Sequence, residues 1–377
     1  MNNKPKILLF IDWFTPAFKA GGPIKSVVNI VNSLHPFFDF YIVTSDRDIN
    51  EKHPFENITF NTWIEKEHYA VIYLSSEKRD SWIKNHLQNT NYDVYYFNGL
   101  FSKNFTLKPL RILNKIYAHQ KIIICPRGML GKGALAIKPL KKKMFLMLAK
   151  TIGYYKNIVW HATNKEEKND IATHFGKQSS IKVASNISLC KIEKTSIEKS
   201  KNNLKLVFFS RIASIKNLNY ALQLMVKLPN VSLDIYGSIE DKPYWEKCKK
   251  TIKDNHLNAT YKGEILPINV TKTLCNYHFL LLPTLHENYG HVITESLAAG
   301  CGLIISDKTP WRNLIAKKIG WDVDLDNQNQ FINVIKQCVA MEQEEYNAVR
   351  NNCYNFVENH INTSQEIEAT KNLFQTV

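Results

Sequence analysis

Short runs of apolar, largely β-branched residues alternate along this chain with longer segments of helical period, and few folds accommodate that alternation. Ile7–Ile11, Phe40–Thr44, Val71–Leu74, Val94–Phe97, Ile122–Cys125 and Ile158–Trp160 are the expected strands of the first half. Ile24–Leu34, with apolar residues at three- and four-residue intervals, and Leu107–His119 are expected helices between them. This is the β-α-β order of a doubly wound parallel sheet. The rhythm breaks around 186–203, where SNISLCKIEKTSIEKSKNN is polar, charged and without a clear strand. It restarts with Leu204–Phe209, Leu233–Tyr236, Phe279–Leu282 and Leu303–Ser306; from about 340 the chain is polar and helix-like, with no further strand.

The expected architecture is α/β, with two Rossmann-like domains in tandem facing each other across a cleft. The first covers 1–186, a linker 187–203, the second 204–350, and a C-terminal helix 351–377 is placed back on the first domain. Ligands of such sheets bind beyond the carboxyl ends of the strands. A length of 377 residues with 44% apolar side chains suits two or three domains. Residues 1–200 hold 30 basic and 16 acidic side chains, whereas 201–377 hold 19 and 18, so the first domain is expected to face something anionic. Seven scattered cysteines without a C-x-x-C pair indicate neither a disulfide framework nor a zinc knuckle, and suit reduced core thiols in the cytosol. MNNKPKILLFIDWF is not expected to be a signal peptide, and no apolar run is long enough to span a bilayer.

Three segments suggest chemistry. In FLLLPTLHENYGHVITESLAAGCGLIISD (279–307), Glu287 lies in a loop after a strand and Glu295 in the following helix. Such carboxylates suit the hydroxyls of a sugar or ribose, and the helix-start amides from Asn288 to His291 suit an anion or polyol. By itself the segment reads equally well as an ordinary β-loop-α corner with capping or solvated glutamates. In LVFFSRIASIKNL (206–218) a strand runs into Arg211 and then Lys216, a planar fork and a mobile point charge suited to a diphosphate, or else a pair of surface cations. Gly21-Gly22-Pro23 allows close backbone approach at the first strand-to-helix turn, or is a plain turn; it lacks the G-x-G-x-x-G fingerprint.

Together these segments resemble retaining glycosyltransferases of the GT-B fold, specifically family 4, which builds bacterial polysaccharides. Glu287-x7-Glu295 followed by SLAAG and GLIISD is similar to that family's E-x7-E signature, SRIASIKN to its Arg/Lys clamp, and GGPIKSVVNI to its Gly-Gly loop. RGMLGKGALAIKPLKK (127–142) and HATNKEE (161–167) are similar to stretches of a polysaccharide-assembly branch. The resemblance implies that Arg211 and Lys216 hold the diphosphate of a nucleotide-sugar, that Glu295 binds the ribose, and that Glu287 contacts the donor sugar with the amides of Asn288, Tyr289 and Gly290. It places Gly21 and Gly22 on the diphosphate and sugar, and Gly237 and the Lys262–Ile265 turn near the base. A histidine common in relatives is missing: the two positions read Phe97-Asn98-Gly99 and Cys125-Pro126-Arg127, leaving Arg127 and His161 as acceptor-side candidates.

The chemistry implied is transfer with retention, without a protein nucleophile, from a nucleotide-sugar to a glycan or polyprenyl-linked glycan. No cofactor and no metal are expected: Asp46-Arg47-Asp48, Asp322-Val323-Asp324 and Asp324-Leu325-Asp326 read as surface turns. KPLKKKMFLMLAK (138–150) sets lysines beside apolar residues, which suits either an anionic membrane surface or an ordinary packed helix. With lipid-linked acceptors implied, the expected place is cytoplasmic, peripheral on the inner face of the membrane. The rivals are a nucleotide-sugar epimerase of the same fold, a non-catalytic relative, and a nucleic-acid binder, for which no motif is present.

Overall fold

The computed structural model describes residues 4–116, 120–136, 139–228, 231–361 and 364–375. The chain forms two compact units, Met1–Ile187 with Ser364–Val377, and Ser188–Thr363.

The first unit is built on an eight-stranded sheet. Its strands are β1 (Lys6–Phe10), β2 (Asp39–Ser45), β3 (Ile64–Glu65), β4 (Tyr69–Leu74), β5 (Val94–Asn98), β6 (Lys121–Cys125), β7 (Ile158–Ala162) and β8 (Ser180–Val183), in the order β3-β4-β2-β1-β5-β6-β7-β8. All pairings are parallel except β3 with β4. The second unit has six parallel strands, β9 (Leu204–Phe209), β10 (Val231–Tyr236), β11 (Ala259–Gly263), β12 (Phe279–Leu282), β13 (Gly302–Ser306) and β14 (Gly320–Val323), in the order β11-β10-β9-β12-β13-β14. In each sheet the order reverses beside the first strand, at β1/β5 and at β9/β12; such switch points are where ligands bind in open α/β sheets.

Central strands are buried along their length, as β5, β12 and β13 show, because helices cover both faces of a parallel sheet. That is why the apolar runs announced them. The four strands absent from the sequence reading are β3, β8, β11 and β14, which lie at the edges of the two sheets. The first three of these are partly or largely exposed, and β14 is buried only at its ends, so none reads as a continuous apolar run. Helix Leu107–His119 appears as a π-turn Lys103–Leu107 continuing into a helix Lys108–Ile116; residues 117–119 lie outside the described residues.

Two boundaries differ from expectation. Residues 188–203 have no regular structure beyond a turn, yet they belong to the second unit rather than forming a free tether. Ser188 shares a hydroxyl contact of 2.9 Å with Thr294, and the buried Lys199 ammonium donates to the carbonyls of Ser200, Met341 and Val339. The single helix expected over 351–377 is two. Gln343–His360 belongs to the second unit, and Ser364–Gln375 to the first. The latter seats Phe374 among the rings of Phe38, Phe40 and Tyr96. All seven cysteines are buried and unbridged.

Gly320 opens β14 with φ +144°, and a Cβ there would stand 2.1 Å from the Leu303 carbonyl oxygen of β13. Gly263, closing β11 at φ +89°, has no neighbour within 4 Å of such a Cβ. Gly320→Ala is therefore expected to cost roughly 3 kcal/mol and Gly263→Ala about a third of that, the backbone term alone. Thermal unfolding should show Gly320→Ala melting roughly 6–12 °C lower; equal shifts for the two variants would contradict the close approach of the two strands.

Candidate functional site

In the second unit β9 and β12 pair only through Leu206 with Phe279 and Val207 with Leu280, so their carboxyl-terminal halves run on without pairing to each other. The segments leaving them carry the charged pair. After β9 the chain makes a short 3-10 turn, Ser214–Lys216, ended by Asn217 in the left-handed region at φ 60°. The Asn217 side-chain amide donates to the Pro283 carbonyl beyond β12 at 3.0 Å. Thr284, fully buried, donates its hydroxyl to the Ile215 carbonyl at 3.0 Å, and the Leu285 amide donates to the same carbonyl at 2.9 Å. Two segments far apart in sequence are thus stitched together. Within this frame Lys216 Nζ lies 2.6 Å from Glu287 Oε2, with side chains only 10% and 15% exposed. Removing one partner from a pair so little hydrated costs much more than breaking a surface ion pair.

Glu287 is fixed from behind by its amide, which donates to the Lys308 carbonyl at 3.0 Å. Gly290 follows in the left-handed region at φ +81°, and a Cβ there would meet Ile293 Cδ1 at 2.8 Å and Glu287 Cγ at 3.0 Å. The backbone conformation therefore favours glycine, and Ile293 and Glu287 leave a Cβ there little room. The helix His291–Ala298 starts at Gly290 with no side-chain cap, and the Ile293 amide donates to the Gly290 carbonyl at 2.8 Å. Tyr289 is bracketed: its carbonyl accepts the Trp311 indole N–H at 2.5 Å, and its ring packs against those of Trp311 and His291. Glu295 is buried on the same helix.

Arg211 leaves β9 at the neighbouring crossing. Its guanidinium pairs with Glu240, which follows β10, and about a third of each side chain is exposed. The two loops are held by the Ile212 amide donating to the Ser238 carbonyl at 2.8 Å and by a bridge between Ile212 and Ile239. At Gly237, φ +136°, a Cβ would fall 1.9 Å from the Ser210 carbonyl oxygen, so the loops can cross there only at glycine. Tyr261 donates its hydroxyl to the Gly237 carbonyl, and Ile265 is half-buried against the core. The two expected clamp cations are thus each matched to a carboxylate, Arg211 to Glu240 and Lys216 to Glu287, and Glu240 was not foreseen.

In the first unit the candidates converge on the carboxyl ends of β5, β6 and β7. Arg127, at φ 55°, donates Nε–H to the Asn98 side-chain oxygen at 2.6 Å, and its other nitrogens donate to Asn186 and to the Tyr96 hydroxyl. Tyr96 in turn contacts His161 Nδ1 at 2.9 Å, and His161 Nε2 meets the Ala184 carbonyl at 2.8 Å. The carbonyl can only accept, so Nε2 carries the proton and Tyr96 donates to Nδ1. His161 is 1% exposed with both nitrogens engaged. It stands behind Arg127 as its support and presents nothing to an acceptor. The buried Glu167 carboxylate accepts the amides of Gly128 and Thr163 and the Thr163 hydroxyl, which fixes the loop carrying Arg127. Gly21 precedes the helix Gly22–Leu34 with φ 68° and ψ −118°, a conformation open only to glycine, and Pro23 sits in the first turn.

The first D-x-D is not a surface turn. Asp46 and Asp48 are buried; Asp48 accepts the amides of Phe18, Lys19 and Ile49, and Asp46 pairs with Arg47. Asp322 accepts the amides of Asn313 and Leu314. Among the described residues no cluster of three metal-ligating side chains occurs. Asn186, Glu167, Asn217, Thr284 and Trp311 were missed as supporting residues; their one sequence signal is that each lies in the segment following a strand.

Residues 191–356 match the family model described as glycosyl transferases group 1, so the second unit carries a domain of that group. No curated protein matches the chain. Among solved structures, Anabaena Alr3699/HepE in complex with UDP and glucose is similar over 99% of this chain and 100% of its own at 13% identity, TM-score 0.71. WaaG, a glycosyltransferase involved in lipopolysaccharide biosynthesis, is similar over 98% and 100% at 13% identity, TM-score 0.67. Sucrose-phosphate synthase from Thermosynechococcus elongatus is similar over 99% and 98% at 15% identity, TM-score 0.71. At such identity the likeness establishes the fold: two parallel-sheet, Rossmann-like α/β domains of the kind found in GT-B glycosyltransferases.

Burial, reinforced by the Arg127 guanidinium, pushes His161 from 6.5 down to about 3. In that window the unfolded chain binds a proton that the folded one excludes, so stability is lost as pH falls from about 6.5. His161→Gln keeps one acceptor and one donor but cannot titrate. Its unfolding free energy, from urea titrations between about pH 6 and 4.5, should fall less steeply than wild type by up to about 1.4 kcal/mol per pH unit. Identical slopes would show that His161 is not held neutral.

Proposed function

We propose that this chain is a retaining glycosyltransferase of family 4, moving a hexose from a nucleotide-diphosphate sugar to a glycan or lipid-linked glycan acceptor in bacterial surface polysaccharide synthesis. The observation that carries this reading is the Lys216–Glu287 pair, held at 2.6 Å beside an uncapped helix start at the β9/β12 switch point of a glycosyl transferases group 1 domain. The similar structures solved with UDP and glucose, and the one named for lipopolysaccharide biosynthesis, agree with a nucleotide-sugar donor and a glycan product.

In the reaction, the bond between the sugar's anomeric carbon and the diphosphate oxygen breaks, and its electron pair stays on the phosphate. The acceptor hydroxyl oxygen bonds to the anomeric carbon on the same face and its proton passes to the departing phosphate oxygen. The negative charge that builds on the diphosphate is the quantity the protein can stabilise. An ammonium has three N–H donors and Glu287 accepts one, so Lys216 can hold a phosphate oxygen while staying on Glu287. Arg211 supplies a fork once it turns from Glu240. Glu287, neutralised by Lys216, is a poor nucleophile and is assigned to the sugar's hydroxyls, Glu295 to the ribose. With two cations serving the phosphates, no metal is assigned. The Gly21–Gly22 turn and Arg127 keep their donor and acceptor assignments on resemblance.

Thermal melts with UDP, GDP, ADP, CMP and dTDP, each with and without EDTA, test this directly. One diphosphate is expected to stabilise the wild type by ~2.7 kcal/mol at about 100 times its dissociation constant, unchanged by EDTA and lost in Arg211→Ala. Sugar transfer from the matching donor should fall roughly 10²–10³-fold in Arg211→Ala and Glu287→Ala while both keep wild-type circular dichroism. A chain that binds none of these nucleotides, or variants that transfer at near-normal rates, would remove the assignment.

A further inference from the structure

The helix Pro139–Thr151 in the first unit is apolar on the side that faces away from its own core. Its inner face is ordinary: Leu146 and Ala149 are buried, Phe145 packs its ring on Phe101, and Lys142 lies over the same ring while donating to the Ala134 carbonyl at 2.6 Å. Its outer face carries Leu140, Met144, Met147 and Leu148 at 79, 66, 67 and 60% exposure, with Ile152 just beyond at 62%. The spacing i, i+4, i+7, i+8 makes these one stripe. Five of the chain's exposed large apolar side chains gather in thirteen consecutive positions, where scattered single ones would call for no explanation. Residues 137 and 138, at the start of the lysine-rich segment singled out in the sequence, lie outside the described residues.

The charge around the stripe has one sign. Lys141 lies along one margin, Lys143 and Lys150 along the other, all exposed. Arg111 and Lys115 are exposed on the helix Lys108–Ile116, which is tied to the end of this one by the Asn114 side-chain amide donating to the Tyr154 carbonyl at 2.9 Å. The whole chain from Val94 to Lys165 contains no aspartate or glutamate and fourteen lysines and arginines. A second protein surface would need a matching apolar groove with an acidic rim. An anionic bilayer offers both elements as a continuum: hydrocarbon for the stripe and headgroup charge for its margins.

We propose that the stripe Leu140, Met144, Met147, Leu148 and Ile152, with Lys141, Lys143 and Lys150 beside it, docks the first unit on the surface of an anionic lipid bilayer. The helix lies in the plane of the headgroups and does not span; no described helix is long and apolar enough to cross a membrane. It lies in the crossover from β6 to β7, the same crossover that opens with the Arg127 loop. A lipid-linked acceptor suits this, but docking does not depend on sugar transfer.

Flotation of the full chain with vesicles of phosphatidylcholine alone, or with about one third phosphatidylglycerol, tests the proposal. Binding is expected to the anionic vesicles only, weakening as salt rises from about 0.05 to 0.5 M. Lys141→Glu/Lys143→Glu/Lys150→Glu should weaken it on the order of a hundredfold, and Leu140→Ser/Met144→Ser/Met147→Ser/Leu148→Ser should abolish it. All substituted side chains are exposed, so melting temperatures and nucleotide binding should stay at wild-type values. Absence of binding, or binding that neither variant alters, overturns the proposal. So does a concentration-dependent dimer in sedimentation that the serine variant dissolves without any vesicle binding, since the stripe would then join two copies of the chain.

Discussion

The central strands of both sheets are covered on both faces, which leaves charged side chains little room except beyond the ends of the strands. The consequences run through both units. Lys216 and Glu287 follow β9 and β12, Arg211 and Glu240 follow β9 and β10, and Arg127 follows β6. None lies within a strand. What holds these groups is not the sheet itself but hydrogen bonds between neighbouring loops, such as Asn217 and Thr284 in the second unit and Asn98, Asn186 and Glu167 in the first. Glycines mark where those loops come too close for a side chain. At Gly237 the obstacle is the Ser210 carbonyl, and at Gly290 it is the Ile293 side chain with Glu287 beside it.

The cations of the two units are held by different means. In the second unit each faces a carboxylate, so the two cations are neutralised at rest, and a diphosphate bound as proposed would compete with or join a negative group already in place. Removing one partner of the little-hydrated Lys216–Glu287 pair leaves the other charge uncompensated, so such a variant loses stability as well as binding. In the first unit Arg127 is gripped by two side-chain amide oxygens and a phenol, all neutral. The carboxylate that acts on its charge, Glu167, is bonded to the Gly128 and Thr163 amides instead of to the guanidinium. His161 completes this arrangement only while it is neutral, since a protonated ring has no acceptor for the Tyr96 hydroxyl. One guanidinium thus depends on a chain of uncharged partners that runs back to the Ala184 carbonyl.

Much of this was legible in the chain itself. Central strands were recognisable because burial on both faces demands unbroken apolar runs. The β-loop-α corner at 279–307 was recognisable because strand, loop and helix are consecutive. Edge strands such as Ser180–Val183 and Ala259–Gly263 were not, since half-exposed residues leave no such run. The pairing of Lys216 with Glu287 was not legible either: the two residues are 71 positions apart, and sequence distance says nothing about which loops meet. His161 misled for a related reason. A histidine after a strand is equally suited to line a surface or to brace a neighbour, and only the Tyr96 and Ala184 contacts decide. Asp48 resembled a turn residue because the Phe18 and Lys19 amides that it accepts belong to a segment distant in sequence, and Asp46 did so because its partner is the adjacent Arg47.

At the outer face of Pro139–Thr151 the demands of folding and the sequence disagree. Four large apolar side chains in a stripe facing water add nothing to the core, and the lysines at their margins find no carboxylate within the acid-free stretch around them. Both features raise the cost of leaving the surface bare: the stripe favours association, and like charges repel one another. A polar outer face would serve the fold better, because the inner face already supplies Leu146, Ala149 and the Phe101–Phe145 contact. The two unfavourable features also share a single remedy. A negatively charged apolar interface covers the stripe and neutralises the lysines at once, whereas water or salt answers only the charge. The combination is therefore better explained by something outside the chain than by anything within it.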